Sequence, residues 1–439
     1  QRVRAHIEPI APITLRPGQT WSPPKHARVT SEDGAVAAYP VAWDTSGLDL
    51  TTPGSYTLHG TITVPTYGDE RGILVAERAD PWVWREENEA GPTYYLTASY
   101  PTTMQVPSVG YDRIVLRRAA SLNGLAQAQE TVLLWAGNAE DTSSAPAAPI
   151  SDQFFRYFWA PELHRIGGDW YLLFTASTLS QDVWHIRPAM LRADGASDPM
   201  DPASWQEIGF VQAFSGDQDR PADREAFTHF SLDMTAFTVP DEQGDRSYVV
   251  WAEKPDASTL RIAPVEAGNP AQLTAPSVLL ASPVYDWESN GPDVINEGPA
   301  VVLTDDRVLV YFSASSVDEH YAVGLVWASR DANLLDPASW TKESEPLLST
   351  ASFDGAQMGP GHISFAATED GELPVVIYHA RPPRSEWAPG ADGGLNDPSR
   401  HARVALAQRD GEGVLRLDRS PSHLLPLDQR RVELRLTVS

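Results

Sequence analysis

The sequence predicts an all-β fold, a small β-sandwich followed by a five-bladed β-propeller. Helical periodicity is nearly absent, and 37 prolines and 30 glycines cut the 439 residues into short segments. Beyond residue 72, five short apolar strands share an aromatic signature, and a repeat of this kind outweighs any single local signal.

In order along the chain, residues 1–70 form the first unit. Segments 41–44 and 55–64 alternate apolar and polar residues around the turn Thr52-Pro53-Gly54, the pattern of a half-buried sandwich. Residues 71–439 form the second unit. Its recurring strands are 94–99, 170–177, 248–252, 308–315 and 375–380, each followed by a third strand at 113–118, 186–192, 259–265, 321–330 and 403–409. The strand before each opens at Asp80, Glu162, Asp233, Glu297 and His362, at intervals of 82, 71, 64 and 65 residues. A three- or four-stranded unit repeated five times at this spacing buries its faces against its neighbours, and closure hides the edges. The long early intervals leave 122–153 and 194–229 to build loops over one face.

Charge narrows the chemistry. With 33 basic and 59 acidic residues the net charge is −26, a field that repels phosphate backbones and anionic lipid, so neither nucleic acid nor membrane insertion is expected. No apolar run reaches the length of a membrane span. The chain opens at Gln1 with no apolar export segment, which reads as a mature or trimmed form. Without cysteine there is no disulfide, thiolate metal site or cysteine nucleophile. Fourteen tryptophans supply flat surface that suits sugars.

Innermost propeller strands converge on one funnel, and here their opening residues read Asp, Glu, Asp, Glu, His. Like charges gathered in a cleft raise one pKa while another group stays ionised, as acid/base hydrolysis requires. No Asp-x-Asp loop or HExxH spacing appears, so no catalytic metal is expected.

The residues carry a resemblance. Ala79-Asp80-Pro81-Trp82-Val83, Trp159-Ala160-Pro161-Glu162-Leu163-His164, Ser231-Leu232-Asp233-Met234-Thr235, Ile295-Asn296-Glu297-Gly298-Pro299, Gly359-Pro360-Gly361-His362 and Tyr378-His379-Ala380-Arg381 together resemble glycoside hydrolase family 43, the five-bladed hydrolases of arabinan and xylan side chains. Asp397-Pro398-Ser399-Arg400-His401 resembles its arabinofuranosidase branch. The stretch through Trp43 and 49–61 is similar to bacterial Ig-like modules of secreted glycan-active proteins, where it serves as a spacer or binds glycan.

The resemblance implies Asp80 as general base, Glu297 as general acid and Asp233 as the carboxylate that tunes the acid. It makes the segment of Glu162 mainly structural beside the pocket, with sugar contact as the other reading, and has Arg187 approach a furanose hydroxyl or form a structural ion pair. It sets His362 at the propeller axis, either beside a structural calcium or sodium ion or hydrogen-bonded without metal. Arg381 would hold a carboxylate ionised or form a structural ion pair. Trp82, Tyr100, Phe155 and Trp159 are candidates for a stacking wall or for packing between blades, and His229 and Asn296 for sugar contact or turn capping. Met234 departs from the small residue commoner at that place in the family.

The expected function is an exo-acting, inverting α-L-arabinofuranosidase on arabinose-containing oligo- or polysaccharides. It needs no catalytic cofactor and works secreted or at the cell surface. β-Xylosidase, exo-galactanase or another furanosidase on the same fold is the alternative, and a non-catalytic glycan-binding propeller the third reading. An inverting enzyme holds its acid and base roughly 6.5–9.5 Å apart with a water between. Asp80 and Glu297 must therefore face one cavity.

Overall fold

The computed structural model describes residues 4–101, 110–178, 182–242, 244–387, 391, 393–417 and 425–439. Regular structure among them is strand, apart from single 3-10 turns of three or four residues. The chain divides into two units: Gln1–Thr66, Ala367–Val375 and Ala405–Ser439 form one, and Tyr67–Ala366 with Val376–Val404 the other.

The first unit is built on a six-stranded sheet in the order Ala5–Ile7, His26–Ser31, Val36–Asp44, Gly54–Ile62, Arg431–Val438, Ile13–Leu15. The C-terminal strand runs antiparallel to Gly54–Ile62 and parallel to Ile13–Leu15. The expectation that residues 71–439 form one propeller unit is therefore corrected at its end. The physical reason lies in the pattern of Arg431–Val438, which alternates exposed and buried without a break. Val432, Leu434, Leu436 and Val438 point inward, the last three packing with Leu15 and Leu58. A strand with one wet face belongs on a sandwich, whereas a propeller strand such as Asp169–Ser177 is buried on both faces.

The second unit contains five antiparallel sheets of four or five strands among the described residues, each led by an innermost strand: Ala79–Glu86, Arg156–Ile166, Phe230–Val239, Asn296–Leu303 and Met358–Ala367. The five expected blades are present. The fifth is completed by Ile73–Val75, which pairs with His401–Leu406 from the far end of the unit, so both ends of the unit meet in one sheet. The segments 122–153 and 194–229, expected as loops, also supply fourth strands, Thr131–Trp135 and Gln206–Phe210.

A bulge interrupts the innermost strands. The register with the second strand shifts after Ala79, Trp159, Leu232 and Glu297. Each innermost strand has one left-handed residue at a matching place: Asp80 (φ 51°), Ala160 (44°), Asp233 (54°), Gly298 (53°) and His362 (47°). These are the equivalent positions of the repeat. The expected ring of Asp80, Glu162, Asp233, Glu297 and His362 is thus out of step at two places, because Glu162 lies two residues beyond its bulge and Glu297 one before. A bulge re-aims a side chain at the cost of pairing.

Each displaced backbone N–H finds a partner on the preceding blade. Ala160 donates to Ser99 Oγ (2.8 Å), Asp233 to Thr175 Oγ1 (3.3 Å), His362 to Ser313 Oγ (2.7 Å) and Asp80 to His379 Nδ1 (3.1 Å). Ser99, Thr175 and Ser313 pair across the strands with Ala79, Trp159 and Glu297, and the third blade has Ala252 at the matching place, opposite Leu232. Ala252 offers no acceptor, and Gly298 N–H instead donates to Asp233 Oδ2 at 3.1 Å.

Candidate active site

A cavity of about 610 Å³ opens where the innermost strands converge, lined by Asp80, Asp233, Glu297 and His362. The three carboxylates, far apart in the chain, therefore face one space. Tyr111, Trp159, Phe230 and Trp184 form its aromatic side, and Arg400 and Lys254 bring positive charge to it.

Asp80 is buried and crowded with partners. Ser99 Oγ donates to its Oδ2 at 2.5 Å and Arg400 Nη1 to its Oδ1 at 3.3 Å. His362 Nδ1 lies 3.5 Å and His379 Nδ1 3.2 Å from the same oxygen. Burial alone would raise its pKa, but the Arg400 guanidinium, His362 and His379 together hold the carboxyl below the usual carboxylate range. Arg400 is itself fixed by donating from Nη2 to the Tyr111 hydroxyl (2.9 Å) and to Leu395 O (3.2 Å).

Glu297 has the opposite environment. Burial pushes its pKa up to about 7, with Asp80 adding to the rise and the Tyr321 hydroxyl, Arg400 and Lys254 opposing it. Tyr321 donates to Oε1 at 2.8 Å and stacks flat on His379, with ring centroids 5.5 Å apart. Burial and the nearby Glu297 and Asp80 charges push Asp233 upward as well, against the Gly298 N–H that favours its anion. Asp233 and Glu297 thus act as a pair that keeps a proton near neutral pH, while Asp80 stays ionised.

Glu297 is anchored through its neighbour. Asn296 is fully buried, donates from Nδ2 to Glu288 Oε1 (2.8 Å) and accepts from Lys342 Nζ at Oδ1 (2.9 Å). Lys342 also bonds Glu288 Oε1. Asn296 therefore fastens the strand rather than touching sugar or capping a turn.

Other expected site residues lie elsewhere. Glu162 is buried against His164 Nε2 (2.7 Å), away from the cavity. Burial raises the Glu162 carboxyl and lowers His164 to about 3, which makes a neutral pair within the blade. Trp82 donates from its indole to Leu163 O (2.9 Å) and lies 4.7 Å from the His164 ring, so it packs between blades. Tyr100 is sandwiched by the Arg78 and Arg113 guanidiniums at 4.0 and 4.3 Å. The Phe155 ring sits against Gly137, where a Cβ would meet it at 2.8 Å. His229 is half-exposed beside Thr228 and Glu253, and neither it nor Arg187 lines the cavity.

Trp159 does line it, with its ring 5.7 Å from Tyr111. Arg381 is fully buried behind the wall, donating from Nη1 to Val317 O and from Nη2 to Gly394 O (3.0 Å). Its nearest carboxylate is Asp397, 4.0 Å away and outside the triad, and burial lowers its pKa to about 10. It ties two wall segments together and does not hold a catalytic carboxylate. His362 faces Asp80 and, at 3.9 Å, Asp233 Oδ2. Among the described residues no group of three or more His, Asp or Glu side chains forms a metal cage.

Tyr321, Tyr111 and Lys254 escaped the sequence reading, since only the folded cross-strand neighbourhood brings them to the site. Arg400 and His379 stood inside stretches noted for resemblance, without a role.

The family model of the glycosyl hydrolases family 43 matches residues 70–413. The chain belongs to this family. Residues 9–64 match the bacterial Ig-like domain, group 4. Among curated relatives, an extracellular exo-α-(1→5)-L-arabinofuranosidase of Streptomyces chartreusis is 39% identical over 310 residues, covering 70% of this chain and 81% of its own length. The α-L-arabinofuranosidase 43 of Humicola insolens is 36% identical over 83% of this chain and 65% of its own length. The solved α-L-arabinofuranosidase from Lactobacillus brevis superposes with a TM-score of 0.63 at 33% identity, covering 80% of this chain and 96% of that one. Family 43 membership makes the chain a glycoside hydrolase.

Proposed function

We propose that the protein is an exo-acting, inverting α-L-arabinofuranosidase that removes terminal arabinofuranose from α-(1→5)-linked arabinan or from arabinose side chains. One observation carries the chemistry: Asp80 and Glu297 line the same cavity with pKa values displaced in opposite directions. The relatives' names support the sugar and the exo habit.

Asp80, kept ionised by Arg400, takes a proton from the attacking water. Glu297, protonated near neutral pH, gives its proton to the leaving glycosidic oxygen. Asp233 shares the proton load with Glu297, whose charge raises the Asp233 carboxyl in turn, while His362 spaces Asp80 from Asp233. Because one water attacks directly, the step asks for no covalent nucleophile and no cofactor. Extracellular action follows from the same reading, since relatives of this kind are named extracellular. Among the described residues, no helix is long and apolar enough to cross a membrane.

The test is hydrolysis of p-nitrophenyl α-L-arabinofuranoside against the β-xyloside, with proton NMR of the first-formed anomer. Preference for the arabinoside with initial inversion is expected. A first-formed product of retained configuration would refute the one-water route, and preference for the xyloside would refute the sugar.

A further inference from the structure

Glu297 stands where its strand loses regular pairing. It lies opposite Ser313, but the register shifts before Ala300, and Gly298 in between is left-handed. The ladder therefore holds the acid from its N-terminal side, through Asn296 opposite Ala314. Successive side chains on a strand point to opposite faces, so the buried Asn296 projects away from the cavity that Glu297 lines.

Asn296 projects into a closed polar network. Its Nδ2 donates to Glu288 Oε1 (2.8 Å) and Ile295 O (2.9 Å), and its Oδ1 accepts from Lys342 Nζ (2.9 Å). Lys342 uses its other two donors on Ser282 O (2.8 Å) and Glu288 Oε1. Glu288 Oε2 accepts the Val284 and Tyr285 N–H groups at 2.6 and 2.8 Å. The members come from separate elements. Lys342 is on the outermost strand of the fourth blade, Thr341–Lys342, Glu288 ends the turn Asp286–Glu288, and Ser282 follows the edge strand Val278–Ala281 of the third blade. Neither Lys342 nor Glu288 lines the cavity. Replacing a buried ion pair by apolar residues is often neutral or stabilising, so stability alone is a weak account of this pair.

We infer that Lys342 and Glu288 are positioning residues for the general acid: through Asn296 they fix the start of its strand and with it the direction of the Glu297 carboxyl. This rests on the assignment of Glu297 as the acid. Proton transfer to the leaving oxygen tolerates little error in geometry, and a misplacement of about 1 Å can cost about 10²-fold. Asp80 is held by other groups, Ser99, Arg400 and two histidines. Loosening the network therefore damages protonation and spares water attack.

The experiment compares kcat/KM on arabinobiose, whose leaving alcohol needs a proton, and on p-nitrophenyl α-L-arabinofuranoside, whose leaving group does not. The enzymes are the parent, Lys342→Met and Asn296→Ala. Lys342→Met removes the ammonium at similar length. Asn296→Ala cuts the tie but leaves the ion pair whole, so it supplies the readout if the first variant does not fold. In both, the arabinobiose rate is expected to fall about ten- to a hundredfold relative to the nitrophenyl rate. The loss should fall on kcat rather than KM, with the alkaline limb where the parent has it. Equal losses on the two substrates, or no loss, overturn the inference, because a merely structural defect weakens both alike. A moved alkaline limb shows that the Lys342 charge acts on the proton itself, which also overturns positioning. Glu297→Gln is the control: if it does not lose arabinobiose selectively, the acid assignment has failed instead, and the proposed mechanism with it.

Discussion

Tyr321→Phe isolates the control of the acid. The hydroxyl donates to Glu297 Oε1 at 2.8 Å, and this bond favours the ionised carboxylate. Burial pushes the Glu297 pKa up to about 7 and Asp80 adds to the rise, while Tyr321, Arg400 and Lys254 press it down. A hydrogen bond to a charged group is worth about 1.5–3 kcal/mol, part of which survives when the carboxyl is protonated. With one pKa unit equal to about 1.4 kcal/mol, the loss amounts to about one unit upward.

The alkaline limb of kcat/KM should therefore move to higher pH by about one unit in Tyr321→Phe, because the variant keeps its acid protonated further. The acid limb should stay, since Asp80 is held by Ser99, Arg400 and the two histidines. Arabinobiose is the substrate of choice because its leaving alcohol needs the proton, whereas a nitrophenolate leaves without one. Phenylalanine preserves the ring that stacks on His379. An alkaline limb that stays put, or moves down, would refute this account of Glu297.

Asp80→Asn should lower kcat by about 10²–10⁴-fold with KM little changed, checked by steady-state kinetics. Glu297→Gln should raise the melting temperature above about pH 7 and have little effect below pH 4.5. Folded Glu297 keeps its proton up to about 7 while the unfolded carboxylate releases it from 4.5, so the native state binds more protons in that window and parent stability falls as pH rises through it, by up to about 3 kcal/mol. Ending the chain before Arg431 removes four buried aliphatic side chains, each worth about 1.5–3 kcal/mol, and calorimetry should show the first unit's transition lost or sharply lowered.

What the sequence made legible was whatever a local pattern can carry. Five blades followed from recurring strands, and Asp80, Asp233 and Glu297 from the motifs around them. The position of Glu162 was misjudged because repeats were aligned by residue type, whereas the bulges set the true frame at Ala160 and Gly298. For Trp82, Tyr100 and Phe155 the sequence leaves sugar stacking and packing between blades both open, and only folded neighbours decide. Tyr321 and Lys254 carry no motif because each acts across a sheet. The strand Arg431–Val438 did carry a signal, strict alternation, which sets it apart from strands buried on both faces.

The backbone also explains why Asp233 and Glu297 act together. Left-handed backbone at Asp80, Asp233 and His362 costs of order 1–3 kcal/mol each, and side chains of the preceding blades hold those amides. The third blade breaks the pattern: Ala252 has no oxygen, and the Gly298 N–H, one residue beyond Glu297, falls to Asp233. That substitution of a carboxylate for a hydroxyl ties the tuning group to the acid's strand. Ala252→Ser restores an acceptor of the kind found at Ser99, Thr175 and Ser313, and it should draw the Gly298 amide away from Asp233. Turnover of arabinobiose should then fall and its alkaline limb should shift, while the melting temperature holds, since one amide bond replaces another. A variant with the parent's pH profile would show that Asp233 is placed by something other than this missing oxygen.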